Sequence, residues 1–352
     1  MTTLPYCFFP TKVICIDDDL GFVETLHVTR PKNKASFQLF DDAETALSYV
    51  NKGDKPTVLF ERVLQTQGYP LDCSSVGYLY EEMLYNPHRH EVVSCVLVGE
   101  QIQGISGLEA CRQITDPHIK KIYLTPNLEQ ERAVAAFNQG LIDFYVSKDN
   151  PKALEIIDNY INQAQNRYFE ELINAPTQRL LKEWHSSSQE GSALDDPLFL
   201  DYFRSFLQKN KIKEYYLVDL IGSFVCIDGQ GKASAFLTFT DFSLARHMLD
   251  VVDLLEADPH LGKKIGGHSL PSGFCIPSLY HPALENFQPF VVPVQPFVLG
   301  QQRYYRAHIP QIEDLAISSG IVGVFTYKKG KLNEETYPRP SYGHNFISYA
   351  RV

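Results

Sequence analysis

Residues 92–109 read VVSCVLVGEQIQGISGLE. The first seven, Val92 to Val98, are almost wholly apolar and rich in β-branched side chains. Too short for a typical helix and apolar on both alternating faces, they predict a strand at the centre of a sheet covered on both sides. Gly99 ends the run, and Gly107-Leu108-Glu109-Ala110-Cys111 opens a helix. The same strand-then-helix unit recurs on either side. Upstream, VICI (Val13 to Ile16) runs into Asp17-Asp18-Asp19 and a helical segment through Phe22 and Leu26. Phe37 to Phe40 is a second strand, after which Asp41-Asp42 caps a helix carrying Ala43, Ala46, Leu47 and Val50. Downstream, KIYLT (Lys121 to Thr125) precedes the helical AVAAFNQG with its glycine stop at Gly140. LIDFYVSK (Leu141 to Lys148) then leads to a last helix beginning at Pro151.

Five such units in order predict an α/β, flavodoxin-like (βα)5 sheet, which places function at the carboxyl ends of its strands. Those ends deliver Asp17 and Asp18, Gly99, Thr125 and Lys148. An acidic pair after strand one, a hydroxyl after strand four, a lysine after strand five, Gly-Leu-Glu after strand three and A-F-N-x-G before strand five form an ordered set. Through much of residues 12–150 the sequence therefore resembles the receiver domain of response regulators. The resemblance implies an aspartate at the end of strand three that accepts a phosphoryl group. It implies Mg²⁺ held by the acidic pair, a hydroxyl that contacts the phosphate and a lysine that neutralises it. That chemistry needs hard carboxylates for the metal and a fixed ammonium for the developing charge.

The sequence departs from this pattern at the nucleophile. Counting back from Gly107 places Gly99 where the family carries its aspartate and Gln103 where it carries proline. Glycine has no side chain to phosphorylate. Glu100 is the nearest substitute, but neighbouring strand residues point to opposite faces, so its carboxylate is expected to miss the pocket unless a bulge re-aims it. With the third carboxylate gone, Lys148 is expected to pair directly with the acidic residues; weak Mg²⁺ binding by Asp17 and Asp18 is the other reading, and no further cofactor is expected. Thr125 reads as a satisfied strand-end hydroxyl. Tyr145 stands at the family's switch aromatic and reads either as that switch or as packing under the fourth helix.

Receivers carry a short turn where this chain inserts residues 52–91. Leu79, Met83 and Leu84 lie at helical spacing within the insertion, and Tyr85-Asn86-Pro87-His88-Arg89 leads into strand three. An insertion of this kind, the N-P-x-R approach and A-F-N-x-G-x-I before strand five resemble quorum-sensing response regulators of the Legionella type. The likeness implies a place in two-component or phosphorelay signalling. His88 and His90, two apart on a loop, read as solvent-exposed rather than as metal ligands.

Residues 151–172 read as one amphipathic helix, with Leu154, Ile157, Ile161, Ala164, Tyr168 and Leu172 at spacings of three and four. The stripe is either core or the seam of a two-fold dimer. His185 to Ser192 has linker composition. The expected organisation is a receiver-like domain over 1–150, a connecting helix and linker over 151–190, and an α+β output domain over 191–352. In that last part Pro197 to Lys209 is helical. Strands are expected at 214–219, 222–227 and 233–240, with a turn at Asp228-Gly229-Gln230-Gly231 and a helix capped by Asp241 that carries Leu244, Met248, Val251, Val252 and Leu255. The later runs FVVPVQPFVL, RYYRAHI and IVGVFTYKKG complete an antiparallel sheet, and Pro293 and Pro296 assign the first of them to an edge.

No enzyme signature stands out in this second part. Lys263 to His268 lacks the lysine–hydroxyl ending of a P-loop, and Ser223, Ser269 and Ser272 lack a G-x-S-x-G elbow. Asp228 and Lys232 sit across a turn, which fits a metal-dependent nuclease poorly, and His268, His281 and His308 are too dispersed to suggest a shared site. The 352 residues carry a net charge of −10, so DNA binding is disfavoured; Lys263-Lys264 and Lys328 to Lys331 read as solvated loop charge. Seven cysteines without a C-x-x-C spacing read as buried thiols of a reducing cytoplasm. No apolar run is long enough to span a membrane, and the first residues carry no secretory pattern. The expected protein is a non-enzymatic regulator whose partners are other signalling proteins, as a homodimer. The alternatives are a catalytic or nucleotide-binding second domain, or a phospho-switch through Glu100.

Overall fold

The structure, a computed structural model, describes residues 4–19, 36–52, 89–126, 130–187, 191–245 and 292–310, with Gly21, Phe22, Thr25, Leu26, Leu84, Phe274 and Cys275. Residues 4–52 and 89–176 belong to one compact unit and residues 177–310 to a second.

The first unit holds β1 (Lys12–Ile16), β2 (Ser36–Phe40), α1 (Ala43–Lys52), β3 (Val93–Gly99), α2 (Gly107–Gln113), β4 (Lys120–Thr125), α3 (Gln130–Asn138), β5 (Phe144–Ser147) and α4 (Ala153–Phe169). All five strands are parallel, in the order β2-β1-β3-β4-β5, which is the flavodoxin-like arrangement. Every residue of β3 is buried, as its two-sided apolar run requires. Alternate residues from four strands (Val13 and Cys15, Cys95 and Leu97, Ile122 and Leu124, Phe144 and Val146) share a core with α4. Ile157, Ile161 and Ala164 of α4 are fully buried in that core, and Leu154 packs against it. Tyr168 and Leu172 are buried further along the helix. Five of the six stripe residues are thus buried within the chain and Leu154 is partly buried, which accords with the core reading of the stripe; each buried Leu or Ile side chain contributes about 1.5–3 kcal/mol.

The helix does not stop near Leu172. It passes through a π-helical turn at Glu170–Asn174 and continues as α5 (Ala175–Ser187). Pro176 gives the physical reason. A proline ring would press on the carbonyl four residues back in a regular helix and has no N–H to donate, and a wide turn relieves both problems. The wide turn also places Asn174 so that its side chain accepts the Tyr6 N–H (3.0 Å) and donates to the Leu4 carbonyl (3.2 Å). Glu171, in the same turn, pairs with the buried ammonium of Lys120. The linker composition after His185 is likewise overridden in part: Ser186 and Ser187 are helical, and buried Ser192 caps the turn Ala193–Asp195 by accepting the Leu194 N–H.

In the second unit α6 (Pro197–Lys209) starts at a capping Asp196, with Pro197 in its first turn. Next come β6 (Ile212–Leu217), β7 (Phe224–Asp228), β8 (Ala233–Phe239), β9 (Gln295–Leu299) and β10 (Gln302–Ile309). They pair antiparallel in the order β6-β7-β8-β10-β9, and β9, the proline-bearing strand, lies at the edge as expected. Phe203 and Phe206 of α6 lie on the sheet, with ring centroids 4.0 Å from Phe224 and 4.7 Å from Phe236. Asp228 builds the β7–β8 turn by accepting the N–H groups of Gln230 and Lys232. The helix expected after Asp241 is present over 241–245. The rest of that helix, most of the 52–91 insertion including His88, the 321–330 strand, both lysine patches, Ser269, Ser272, His268 and His281 lie outside the described residues.

Candidate functional site

Strand pairing runs one residue past β1 and β5 and so fixes the pocket. The Asp17 N–H donates to the Phe40 carbonyl at 3.1 Å, and the Lys148 N–H to the Thr125 carbonyl at 3.0 Å. The Lys148 ammonium then reaches Asp17 Oδ1 at 2.7 Å. The direct ion pair expected from the loss of the third carboxylate is present. Burial pushes the Asp17 carboxyl above its ordinary range, while the Lys148 ammonium and the Asp19 N–H pull it back down.

The acidic run divides its tasks differently from the expected pairing of Asp17 with Asp18. Asp18 is exposed. Asp19 instead joins the cluster: its N–H donates to Asp17 Oδ1 (2.9 Å), and its Oδ2 lies 3.7 Å from the Lys148 ammonium. Its Oδ1 accepts the Phe22 N–H (3.1 Å), a helix-start bond. The Lys148 ammonium also sits 5.3 Å from the centroid of the Phe22 ring. The i to i+3 spacing of Asp19 and Phe22 was the signal for this role, since short acidic side chains cap the helix that follows them.

Gly99 ends β3 directly beside this pair. A Cβ built on it would lie 2.5 Å from Asp17 Oδ2 and 2.7 Å from Asp17 Cγ, closer than real Cβ contacts come. Its carbonyl is approached just as closely from the other side, because a Cβ on Gly107 would lie 1.9 Å from the Gly99 oxygen. Both positions thus accommodate glycine and nothing larger without movement. Between them the chain forms a tight hairpin, Gln101–Ile102 against Ile105–Ser106, that turns through Gly104 at φ +99°. Gln103, at the family's proline, bridges to Asp42 in this hairpin. Glu100 is half-buried, and its carbonyl accepts the Gly107 N–H at 2.8 Å.

Thr125 is fully buried, and its hydroxyl donates to the Pro126 carbonyl at 3.0 Å. Tyr145 pairs in register with buried Tyr123 but is itself 36% exposed. Cys15, below Asp17 on β1, is a buried thiol pushed up to about 12 by burial, with the Asp17 charge adding to the shift and Lys148 opposing it. It offers no thiolate nucleophile near neutral pH.

The Mg²⁺ that a receiver-like pocket implies does not fit these donors. Asp17 Oδ1 is bonded to an ammonium, and Oδ2 is buried beside Gly99, so neither oxygen is free to face a hydrated ion. Among the described residues no group of three or more His, Cys, Asp or Glu side chains forms a metal site. In the second unit Asp219 accepts the N–H groups of Ile221, Gly222 and Ser223 at 2.9–3.0 Å, so a carboxylate of the chain itself fills that nest of amides. His308 packs edge-on to Phe206, and burial lowers its pKa, with Arg306 adding to the effect. No described helix is long and apolar enough to cross a membrane.

No protein-family model matches the chain, and no curated protein matches it. Among solved structures, the response regulator LqsR of Legionella pneumophila matches with 24% identity and a TM-score of 0.62, over 88% of this chain and 90% of its own. A CheY-like receiver domain protein from Methanospirillum hungatei JF-1 matches 46% of this chain and 98% of its own, with 14% identity and a TM-score of 0.32. The chain thus shares its fold, a flavodoxin-like receiver sheet followed by an antiparallel-sheet unit, with a response regulator of similar extent.

Proposed function

We propose that the chain is a signalling regulator of the response-regulator type whose receiver-like unit works through protein–protein contacts, without aspartyl phosphorylation. Gly99 carries the reading: the strand end that would present the phosphoacceptor has no side chain, and Asp17 stands where one would emerge. The likeness of fold to LqsR supports the regulator class. A place in quorum sensing is the finer form of the same proposal. Apolar groups left in water support the contact-based mode. Val134 and Phe137 on α3 are 41% and 49% exposed, Tyr145 on the neighbouring β5 is 36% exposed, and a partner protein gains by covering such groups.

The test is beryllofluoride with Mg²⁺ on the full chain, followed by amide hydrogen exchange around Gly99, Thr125 and Lys148. Unchanged protection is the expected result. A clear gain in protection in the unmodified chain overturns the reading and assigns the acceptor role to another carboxylate, with Glu100 the first to replace.

A further inference from the structure

The geometry at Gly99 goes beyond the loss of an acceptor. A Cβ there would meet Asp17 Oδ2 at 2.5 Å, Cγ at 2.7 Å and Oδ1 at 3.1 Å, so the whole carboxylate occupies the place where a side chain would begin. The Asp17 side chain has no exposed surface, and its Oδ2 has no hydrogen-bond partner among the described residues. An oxygen buried without a donor is costly, so other forces hold the group in place. They act on Oδ1, which takes the Lys148 ammonium at 2.7 Å and the Asp19 N–H at 2.9 Å.

We infer that Asp17 is the built-in occupant of the pocket: its carboxylate fills the volume a side chain at position 99 would use, neutralises Lys148, and so closes the site to divalent cations. The inference rests on the receiver-type reading of this unit and adds to it a second, independent block. Loss of the third carboxylate alone would leave a weak acidic site open to a metal. With the occupant in place, one oxygen of Asp17 is bonded to an ammonium, the other is buried beside Gly99, and Asp19 Oδ2 lies 3.7 Å from the same ammonium. The two accounts differ in what a single methyl group does. If only a ligand is missing, a methyl at position 99 changes nothing. If Asp17 is the occupant, the methyl expels its carboxylate toward solvent, and metal binding appears without any new ligand.

The experiment is a Mn²⁺ titration of the full chain, read by paramagnetic relaxation of water protons, for wild type, Gly99→Ala and Lys148→Gln. Both variants are expected to bind Mn²⁺ at least roughly tenfold more tightly than wild type, because the carboxylate no longer sits between a fixed cation and a sealed wall. Adding Asp17→Asn to either variant should abolish the gain. If Gly99→Ala fails to fold by far-UV circular dichroism, Lys148→Gln decides. Equal binding by wild type and the folded variants, or a gain that survives Asp17→Asn, overturns the inference. The probe is Mn²⁺ without a phosphoryl mimic, so this failure is distinguishable from a beryllofluoride response, which would instead refute the phosphorylation-independent reading.

Discussion

Replacing Lys148 with methionine isolates the charge that holds the pocket together. The substitution keeps most of the aliphatic chain and removes the ammonium that lies 2.7 Å from Asp17 Oδ1 and 5.3 Å from the Phe22 ring centroid. Asp17, whose side chain has no exposed surface in the wild type, then loses its counter-charge. Breaking a buried pair by removing one partner costs about 3–5 kcal/mol. Lys148 is 18% exposed, so part of its own desolvation is regained, and about 2–4 kcal/mol is expected at neutral pH. The pH dependence fixes the mechanism. Burial already raises the Asp17 carboxyl above its ordinary value of 3.8, and losing the ammonium raises it further. A group whose folded pKa exceeds its unfolded one stabilises below the unfolded value and loses that contribution as pH rises toward the folded one. The deficit of Lys148→Met should therefore be full at neutral pH and shrink as pH falls toward 3.8. Adding Asp17→Asn should recover most of it at neutral pH. Urea unfolding followed by far-UV circular dichroism at pH values on either side of that window measures all four corners of the cycle. An equal loss at both pH values, or no recovery in the double variant, would refute the argument.

Gly107→Ala forces a Cβ to within 1.9 Å of the Gly99 carbonyl, so α2 must shift. Overpacking of this kind costs about 1–3 kcal/mol or more, measured by the same unfolding curves. Asn174→Ala removes the bonds to Tyr6 and Leu4, and each typically contributes about 0.5–1.5 kcal/mol. Amide exchange at Tyr6 should accelerate while β3 stays protected. Ile157→Ala opens a cavity in the core under α4 and should cost about 2–5 kcal/mol. Sedimentation velocity should show no change in oligomeric state for this variant, because the side chain faces its own sheet.

The sheet was legible because its signals are local. The apolar run of β3, the acidic end of β1 and the lysine after β5 each mark a strand and its terminus without help from elsewhere. Gly99 was legible by counting from Gly107. The division of labour among Asp17, Asp18 and Asp19 was not, since three adjacent carboxylates look alike until burial and the reach of Lys148 separate them. The α4 stripe was ambiguous for a related reason: an apolar face of a helix records that it is covered, not by what. The helix was expected to end at Leu172, but the tertiary partners of Glu171 and Asn174 favour a wide turn over a break. In the second unit the meander and α6 were legible from alternation and capping, while the nest filled by Asp219 depends on a backbone conformation at Gly222 (φ +121°) that composition does not reveal.

The close fit of Asp17 against Gly99 bears on which substitutions the chain can accept as much as on its chemistry. Glycine and aspartate codons can differ by a single base, and Gly99→Asp is the simplest change that would build an acceptor there. That step would bring a new carboxylate against one already lodged in its place and bonded to Lys148. Building an acceptor at this strand end would therefore require two changes in concert, the first of them costly alone. The pocket resists substitution from within, and the geometry that holds Asp17 also guards position 99.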